Sequence, residues 1–172
     1  MIPMIFSEVR VTAVADSPLL LLREARGERY LPIWISAAGA NSILSALEDA
    51  PDDNPGTHDF IIEALAALDA VVTEVHILDI VEGVYTAAAV VSGHTVPCRA
   101  SDGVALALRC GATVLAREEV LDKAGTTVAA DVPEASLGGG SDEQMEQFRA
   151  FLDTINPEDF EAGPAGDGDE QP

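Results

Sequence analysis

Three stretches rich in β-branched residues follow one another between positions 71 and 99, and only three residues separate each stretch from the next. The separating segments contain Glu82-Gly83 and Ser92-Gly93, which are typical of tight hairpin turns. Such short connections can join only antiparallel strands, because a parallel pair needs a crossover of about a dozen residues or more. The sequence therefore predicts three antiparallel strands at 71–80, 84–91 and 95–99.

The first third of the chain predicts a similar arrangement. A strand at 6–14 precedes a hairpin whose strands, 19–24 and 29–35, bracket a turn at 25–27. A further strand is expected at 112–116, followed by a short helix near 117–123. Because the hairpins fix antiparallel neighbours, we predict a single compact α+β domain, with a mixed or antiparallel sheet and short helices on one side.

Three further helices follow from capping residues and apolar spacing. Ser36, Thr57 and Ser101 are placed to cap them, and Gly111 is placed to end the third. The second helix is expected to bury a stripe made of Phe60, Ile61, Ala64, Leu65 and Leu68. The two halves of the chain resemble each other at an offset of about 63 residues, which suggests an internal duplication.

The charge of the chain is strongly acidic and unevenly placed. Nine Lys and Arg face 30 Asp and Glu, giving a net charge of −21, which argues against the broad basic face of a sequence-independent nucleic-acid binder. About half of the excess lies after residue 130. We therefore expect a folded domain at 1–130, a Gly-rich linker at 131–140, an amphipathic helix with its extension at 141–160, and a disordered acidic tail at 161–172.

Two cysteines, Cys98 and Cys110, are too few for a cysteine zinc site or a disulfide framework. No basic region precedes an apolar stretch near the N-terminus, and no apolar run is long enough to cross a membrane. We expect a cytoplasmic protein with no membrane partner.

Two local clusters are candidates for chemistry. Thr57-His58-Asp59 places an imidazole beside a carboxylate at the start of a helix, which suits a phosphate, a metal ion or proton transfer. Arg99-Ala100-Ser101-Asp102 places a guanidinium and a carboxylate at a strand-to-helix junction. The structural alternatives are a capped helix with a solvated His58, and a salt bridge from Arg99 to Asp102 or Asp59. Trp34 lies among apolar neighbours, which favours a core position over a base-stacking platform.

Several ordered landmarks together resemble the bifunctional nuclease domain family over about residues 7–128. They are Ser7-Glu8-Val9-Arg10-Val11, Arg29-Tyr30-Leu31-Pro32-Ile33-Trp34-Ile35, Pro55-Gly56-Thr57-His58-Asp59, and the segment from Arg99 to Arg109. The segments at 148–153 and 156–160 look like the C-terminal extension of actinobacterial members. The resemblance implies a compact α+β domain and hydrolysis of both DNA and RNA.

The resemblance selects six positions, and the chemistry of phosphodiester hydrolysis suggests their roles. His58, Asp59 and Asp102 are predicted to be catalytic, and Thr57, Arg99 and Ser101 to bind substrate. A divalent cation, Mg²⁺ or Mn²⁺, is expected on Asp59 and Asp102, because it would offset the acidity of the domain and the charge that develops on a phosphate.

The sequence departs from the family pattern at three positions. The family usually has Glu, Arg and Pro where this chain has Gly39, Asn54 and Ala100. We therefore keep two hypotheses. The first is a nuclease with nucleic acid as substrate and little sequence specificity. The second is a weakened or inactive member that acts as an oligomeric scaffold or regulatory binding module. A homodimer is expected because the apolar content, 48%, is high.

Overall fold

A computed structural model of the chain describes residues 1–10, 17–48 and 55–127. These residues form a mixed seven-stranded sheet and four helices, so the predicted α+β class is confirmed. In chain order the elements are β1 (Ile2–Arg10), β2 (Leu19–Glu24), β3 (Tyr30–Trp34), α1 (Ala37–Ser45), α2 (Thr57–Ala66), β4 (Val72–Val81), β5 (Val84–Val91), β6 (His94–Cys98), α3 (Ala100–Cys110), β7 (Thr113–Ala116) and α4 (Glu118–Ala124).

The two tight turns predicted after β4 and β5 are confirmed. Glu82 and Gly83 have φ angles of 50° and 79°, and Ser92 and Gly93 have 46° and 82°. Two consecutive left-handed residues twist a hairpin in the direction that its strands already prefer, and glycine adopts this conformation without strain. As a result β4, β5 and β6 pair antiparallel, one after another.

The order of strands in the sheet is β3-β2-β1-β7-β4-β5-β6. Strand β7 lies between the two hairpin groups, antiparallel to β1 and parallel to β4. The sheet also curls, which brings β5 close to β3. The Tyr85 hydroxyl on β5 donates a hydrogen bond of 2.6 Å to the Pro32 carbonyl on β3. Helix α3 packs on β4 and β5, and α1 and α2 pack against α3.

The starts of the helices differ in part from the prediction. Ser36 caps α1 as expected, its Oγ accepting a hydrogen bond of 3.1 Å from the Gly39 N–H. The N-cap of α2 is Gly56 instead of Thr57, and that of α3 is Arg99 instead of Ser101. Helix α2 therefore begins one residue earlier than predicted, and α3 begins two residues earlier. Gly111 ends α3 in the left-handed conformation, with a φ of 71°.

The predicted buried stripe of α2 is wrong. Phe60, Ile61 and Leu68 are 66%, 37% and 76% exposed, while Ala64 and Leu65 are partly buried. Helix α2 packs on the outside of α3 instead of on the sheet, so within the described residues much of its apolar surface is uncovered. Its buried residue is His58.

Several predictions lie outside the described residues: the end of the first strand at 11–14, the loop at 49–54 that contains Asn54, the linker, the C-terminal helix and the acidic tail. The internal duplication likewise stays a prediction. Both halves do place a helix directly after a hairpin, as β2-β3-α1 and as β5-β6-α3. No helix in the described part of the chain has the length and apolar character needed to cross a membrane.

Candidate active site

The first turns of α1 and α3 touch each other. A Cβ atom built on Gly39 would lie 2.9 Å from the Ser101 Cβ, which is closer than real carbon atoms approach. Helix α1 starts directly after β3, and α3 starts directly after β6. The sheet therefore places two helix N-termini, with the backbone N–H groups of their first turns, in one region of the surface.

Arg99 and Asp102 form a two-pronged ion pair at the start of α3. Arg99 Nε donates a hydrogen bond of 2.6 Å to Asp102 Oδ2, and Arg99 Nη2 donates one of 3.1 Å to Oδ1. The Arg99 side chain is 73% exposed, so a ligand can reach it from solvent. Pairing with Asp102 raises the pKa of Arg99, which keeps the guanidinium charged.

His58 completes this group from α2. Its Nε2 atom lies 3.5 Å from Asp102 Oδ1, and its side chain is 11% exposed. The alternative of a solvated surface histidine is therefore wrong, because packing of α2 on α3 covers the ring. We call His58, Arg99 and Asp102 the open cluster.

Asp59, although it is the next residue, points to the other end of α3. Its Oδ1 accepts a hydrogen bond of 2.7 Å from Arg109 Nε, and its Oδ2 accepts one of 3.1 Å from the Gly56 N–H. Bonding to Arg109 lowers the pKa of Asp59, partial burial opposes this effect, and the attraction of the Arg109 charge lowers it further. Asp59 is thus held as a carboxylate by partners other than the open cluster.

Arg109 connects all three helices at this second site. Its Nη1 donates to the carbonyl oxygens of Ser42 and Ala105 at 2.8 and 3.0 Å, and its Nη2 donates to Ser45 Oγ at 2.8 Å. Only 10% of the Arg109 side chain is exposed. We call Asp59, Arg109, Ser42 and Ser45 the closed cluster.

The other two predicted site residues are placed differently from each other. Thr57 is exposed at the first position of α2, beside His58. Ser101 is only 6% exposed and faces Gly39, in the contact between α1 and α3. The structure therefore brings His58, Arg99 and Asp102 into contact, keeps Thr57 and Ser101 adjacent in the chain to that group, and holds Asp59 elsewhere.

The residues as arranged do not fit a ready-made cation site. Each predicted metal ligand, Asp59 and Asp102, is already bonded to a guanidinium. Across the described ranges, no group of three or more His, Cys, Asp or Glu side chains converges as metal coordination would require. A cation on Asp102 would have to displace Arg99.

Two of the three departures from the family pattern have a physical reading. Gly39 lies where any side chain would collide with Ser101, so the glutamate usual in the family would require α1 to move away from α3. Ala100 is the first residue of α3, a position where proline and alanine both start a helix well. The third departure, Asn54 in place of the family's arginine, lies outside the described residues.

Sequence reasoning missed two residues in this region, Arg109 and Trp34. Arg109 pairs with Asp59 across 50 residues, and no local spacing signals such a contact. Trp34 was expected in the core, yet it is half-buried at the end of β3 and lines a cavity with Arg99. An aromatic residue at the end of a strand, two residues before the helix cap Ser36, was the available signal.

The open cluster combines three chemical capabilities. An exposed guanidinium can bind an anion with the N–H groups that Asp102 does not use. An imidazole beside a carboxylate is oriented for proton transfer to or from a ligand. The uncapped first turn of α3 adds backbone N–H groups that favour negative charge. Together these groups suit a phosphate ester.

Comparison with known proteins agrees with this chemistry. The family model described as the bifunctional nuclease domain matches residues 20–129. Two uncharacterized proteins, from two strains of Mycobacterium tuberculosis, are each 38% identical to the chain over 155 residues, which is 90% of this chain and 94% of the relative. The match covers more than half of the chain and all of the residues of both clusters, so this chain belongs to the bifunctional nuclease domain family.

Proposed function

We propose that the protein is a phosphodiester hydrolase that cleaves DNA and RNA with little sequence specificity. Membership in a nuclease family supports the reaction class. The observation that carries the proposal is the open cluster, in which His58 from α2 lies 3.5 Å from the Asp102 carboxylate that Arg99 binds from α3. Chemically distinct groups that are distant in the chain converge there, and Arg99 opens the cluster to solvent.

Arg99 is proposed to bind the phosphate. Asp102 occupies the Nε and Nη2 donors, so the Nη1 group can face a ligand. A guanidinium that is already oriented by a carboxylate needs no reorganisation when negative charge increases on the phosphate oxygens. The first-turn N–H groups of α3, next to Ser101, would add to this stabilisation.

His58 is proposed to be the general base. We assign the proton of the neutral ring to Nε2, which faces Asp102, so that Nδ1 accepts a proton from the attacking water. As the water oxygen bonds to phosphorus, the bond from phosphorus to one sugar oxygen breaks, and that oxygen leaves with a proton from the solvent. Asp102 then acts as the positioning residue that stabilises the charged imidazolium. Thr57, exposed at the start of α2, is placed to contact the substrate beside it.

Asp59 is proposed to have a structural role instead of binding a divalent cation. We assign Asp59 to holding the first turn of α2, since Arg109 and the Gly56 N–H occupy its two oxygens. Both candidate carboxylates are bonded to guanidinium groups, so Mg²⁺ or Mn²⁺ would have to displace an arginine to bind either of them.

The test is hydrolysis of single-stranded DNA and RNA by the purified full chain, with Mg²⁺, with Mn²⁺ and with EDTA. Asp102→Asn and Arg99→Gln should each lower the rate at least about a hundredfold, the usual effect of removing a group that stabilises the transition state. Arg26→Gln, in the exposed turn after β2, is the matched control and should leave the rate unchanged. Equal residual rates in all four proteins would contradict the proposal.

One observation favours the alternative, a non-catalytic oligomeric module. Phe60 on α2 and Leu68 in the turn after it are 66% and 76% exposed, and large apolar side chains in an exposed group often mark a protein interface. Under this alternative the chain is a homodimer through α2. Sedimentation should then show a dimer that Phe60→Ser dissociates, whereas a monomer at micromolar concentration would contradict it.

A further inference from the structure

A solvent-accessible cavity of about 250 Å³ lies directly beside the open cluster. It is formed where the end of β3, the turn between β4 and β5, and the start of α3 come together. The Tyr85 hydroxyl holds β5 to β3 by its 2.6 Å hydrogen bond to the Pro32 carbonyl, so the cavity walls are fixed by the fold. We call this space the Trp34 cavity.

The wall of the Trp34 cavity combines an aromatic residue, aliphatic residues and one cation. Trp34, Val84 and Tyr85 supply apolar surface, and Arg99 supplies the charge. The Trp34 Nε1 atom is buried and has no hydrogen-bond partner among the described residues, so the indole contributes carbon atoms to the wall. Val84 is 71% exposed at the rim.

An apolar flat surface with a guanidinium at its edge matches the two parts of a nucleotide. A nucleobase has an uncharged face that packs on aromatic side chains, and its phosphate is an anion that arginine binds. Arg99 lines the cavity and belongs to the open cluster, so a strand that lies on Arg99 brings one base to Trp34.

We propose that the Trp34 cavity holds one unpaired base of the substrate, and that the substrate class is therefore single-stranded nucleic acid. The inference rests on the proposed function, because it places the strand by the phosphate on Arg99. It adds a base-binding residue outside the open cluster and a discrimination between single strands and duplexes.

Charge supports the same discrimination. A duplex carries one negative charge per about 1.7 Å of its axis and is usually held by many basic side chains. This chain has nine basic residues against 30 acidic ones, and four of the nine, Arg10, Arg29, Arg109 and Lys123, are engaged in ion pairs and do not line the cavity. A duplex also hides its base faces. An unpaired base therefore offers this surface a contact that a duplex does not.

The experiment uses the fact that Trp34 is the single tryptophan of the chain, so its fluorescence reports on this cavity alone. The full-length protein in EDTA is titrated with an eight-residue oligothymidylate, with a DNA hairpin duplex and with inorganic phosphate. Emission should change saturably with the oligothymidylate and much less with the other two ligands. Binding to a single phosphate also predicts a shallow salt dependence, with a slope of log affinity against log salt near about −0.7.

Val84→Glu tests the location, since it places a carboxylate at the cavity rim. Affinity for fluorescein-labelled oligothymidylate should fall at least tenfold. Val96→Glu, on exposed β6 outside the cavity lining, makes the same charge change and should alter affinity less than twofold. Circular dichroism checks that both variants fold. Arg99→Gln should weaken oligothymidylate binding as well.

The outcomes separate this inference from the proposed function. Saturable quenching of Trp34 fluorescence in EDTA, together with no hydrolysis in Mg²⁺, Mn²⁺ or EDTA, would support the base site and contradict the nuclease. Hydrolysis of duplex and single strands at equal rates, with unchanged Trp34 emission, would support the nuclease and overturn the base site. Equal losses of affinity in Val84→Glu and Val96→Glu would also overturn it.

Discussion

Helix α3 has an arginine at each end, and each arginine is paired with an aspartate. The two pairs have different surroundings. At its start Arg99 binds Asp102 with a side chain that is 73% exposed, and at its end Arg109 binds Asp59 with a side chain that is 10% exposed. Arg109 also bonds to Ser42, Ser45 and Ala105, while Arg99 has Asp102 as its partner among the described residues. The same chemical pair thus has a solvent-exposed arginine at one end of α3, and at the other end a nearly buried arginine that connects the three helices.

The difference follows from how α2 crosses α3. His58 and Asp59 are consecutive, yet they contact α3 at residues 102 and 109, which are about two helical turns apart. Neighbouring residues on a helix diverge by about 100°, so the first turn of α2 reaches toward both ends of α3. One helix therefore supports both clusters, and the closed cluster fixes the position from which His58 faces Asp102.

The largest expected effect is on the hydrolysis rate, and it comes from a substitution in the open cluster. His58→Gln should lower the hydrolysis rate by about a hundredfold to ten-thousandfold, the usual contribution of a positioned acid or base, because glutamine cannot exchange a proton. Its matched control is His76→Gln, which changes a half-buried histidine that lies 2.7 Å from Glu74 on β4. Steady-state kinetics on single-stranded DNA measures both variants. Equal losses in the two variants would contradict a specific catalytic role for His58.

The second effect is on stability and belongs to the closed end. Arg109→Met should lower the free energy of unfolding by about 3 kcal/mol, because it removes bonds to two backbone carbonyls and leaves Asp59 without its partner. Arg99→Met should change it little, since its pair is exposed to solvent. Urea unfolding measures both variants.

Arg109→Lys sharpens this result. Lysine keeps the charge but lacks the planar fork that reaches several acceptors at once, so it should recover only part of the loss. If Arg99→Met and Arg109→Met destabilised the protein equally, exposure would not distinguish the two pairs. Complete recovery with lysine would show that charge alone matters at the closed end.

Local features of the sequence predicted much of the fold. The Glu82-Gly83 and Ser92-Gly93 pairs identified two hairpins, because such a turn needs left-handed backbone and glycine adopts that conformation readily. Ser36 and Gly111 marked helix ends for similar local reasons. The insertion of β7 between β1 and β4 was not predictable in this way, since it depends on contacts distant in the sequence.

The candidate site was predicted less completely, and for a physical reason. The motifs located Arg99, Asp102 and His58, whose proximity the structure shows. They did not reveal that Asp59 contacts Arg109, nor that Phe60 and Leu68 are exposed. Apolar spacing identifies a helix face, but it does not state which element covers that face.

A third effect concerns the contact between α1 and α3 beside the open cluster. Gly39→Ala should lower the free energy of unfolding by about 1 kcal/mol, because the collision with Ser101 outweighs the better helix propensity of alanine. Asn41→Ala, on the exposed side of the same helix, should stabilise slightly. Thermal unfolding compares them. A stabilising Gly39→Ala would show that α1 can shift away from α3 at no cost.

The smallest effect is the pH dependence of the closed cluster. Arg109 lowers the pKa of Asp59 in the folded protein, so the unfolded chain binds a proton there at higher pH than the folded one. The stabilisation is therefore complete above the unfolded pKa, about 3.9, and is lost as the pH falls through the lower folded value. The Asp59 side chain is 42% exposed, so solvent limits the amplitude to about 0.5 kcal/mol. The difference in unfolding free energy between the wild type and Asp59→Asn should shrink by that amount between pH 6 and pH 3. In an Arg109→Met background the same substitution should give a much smaller change with pH, and an unchanged pH dependence there would assign the effect to the Gly56 N–H instead of to Arg109.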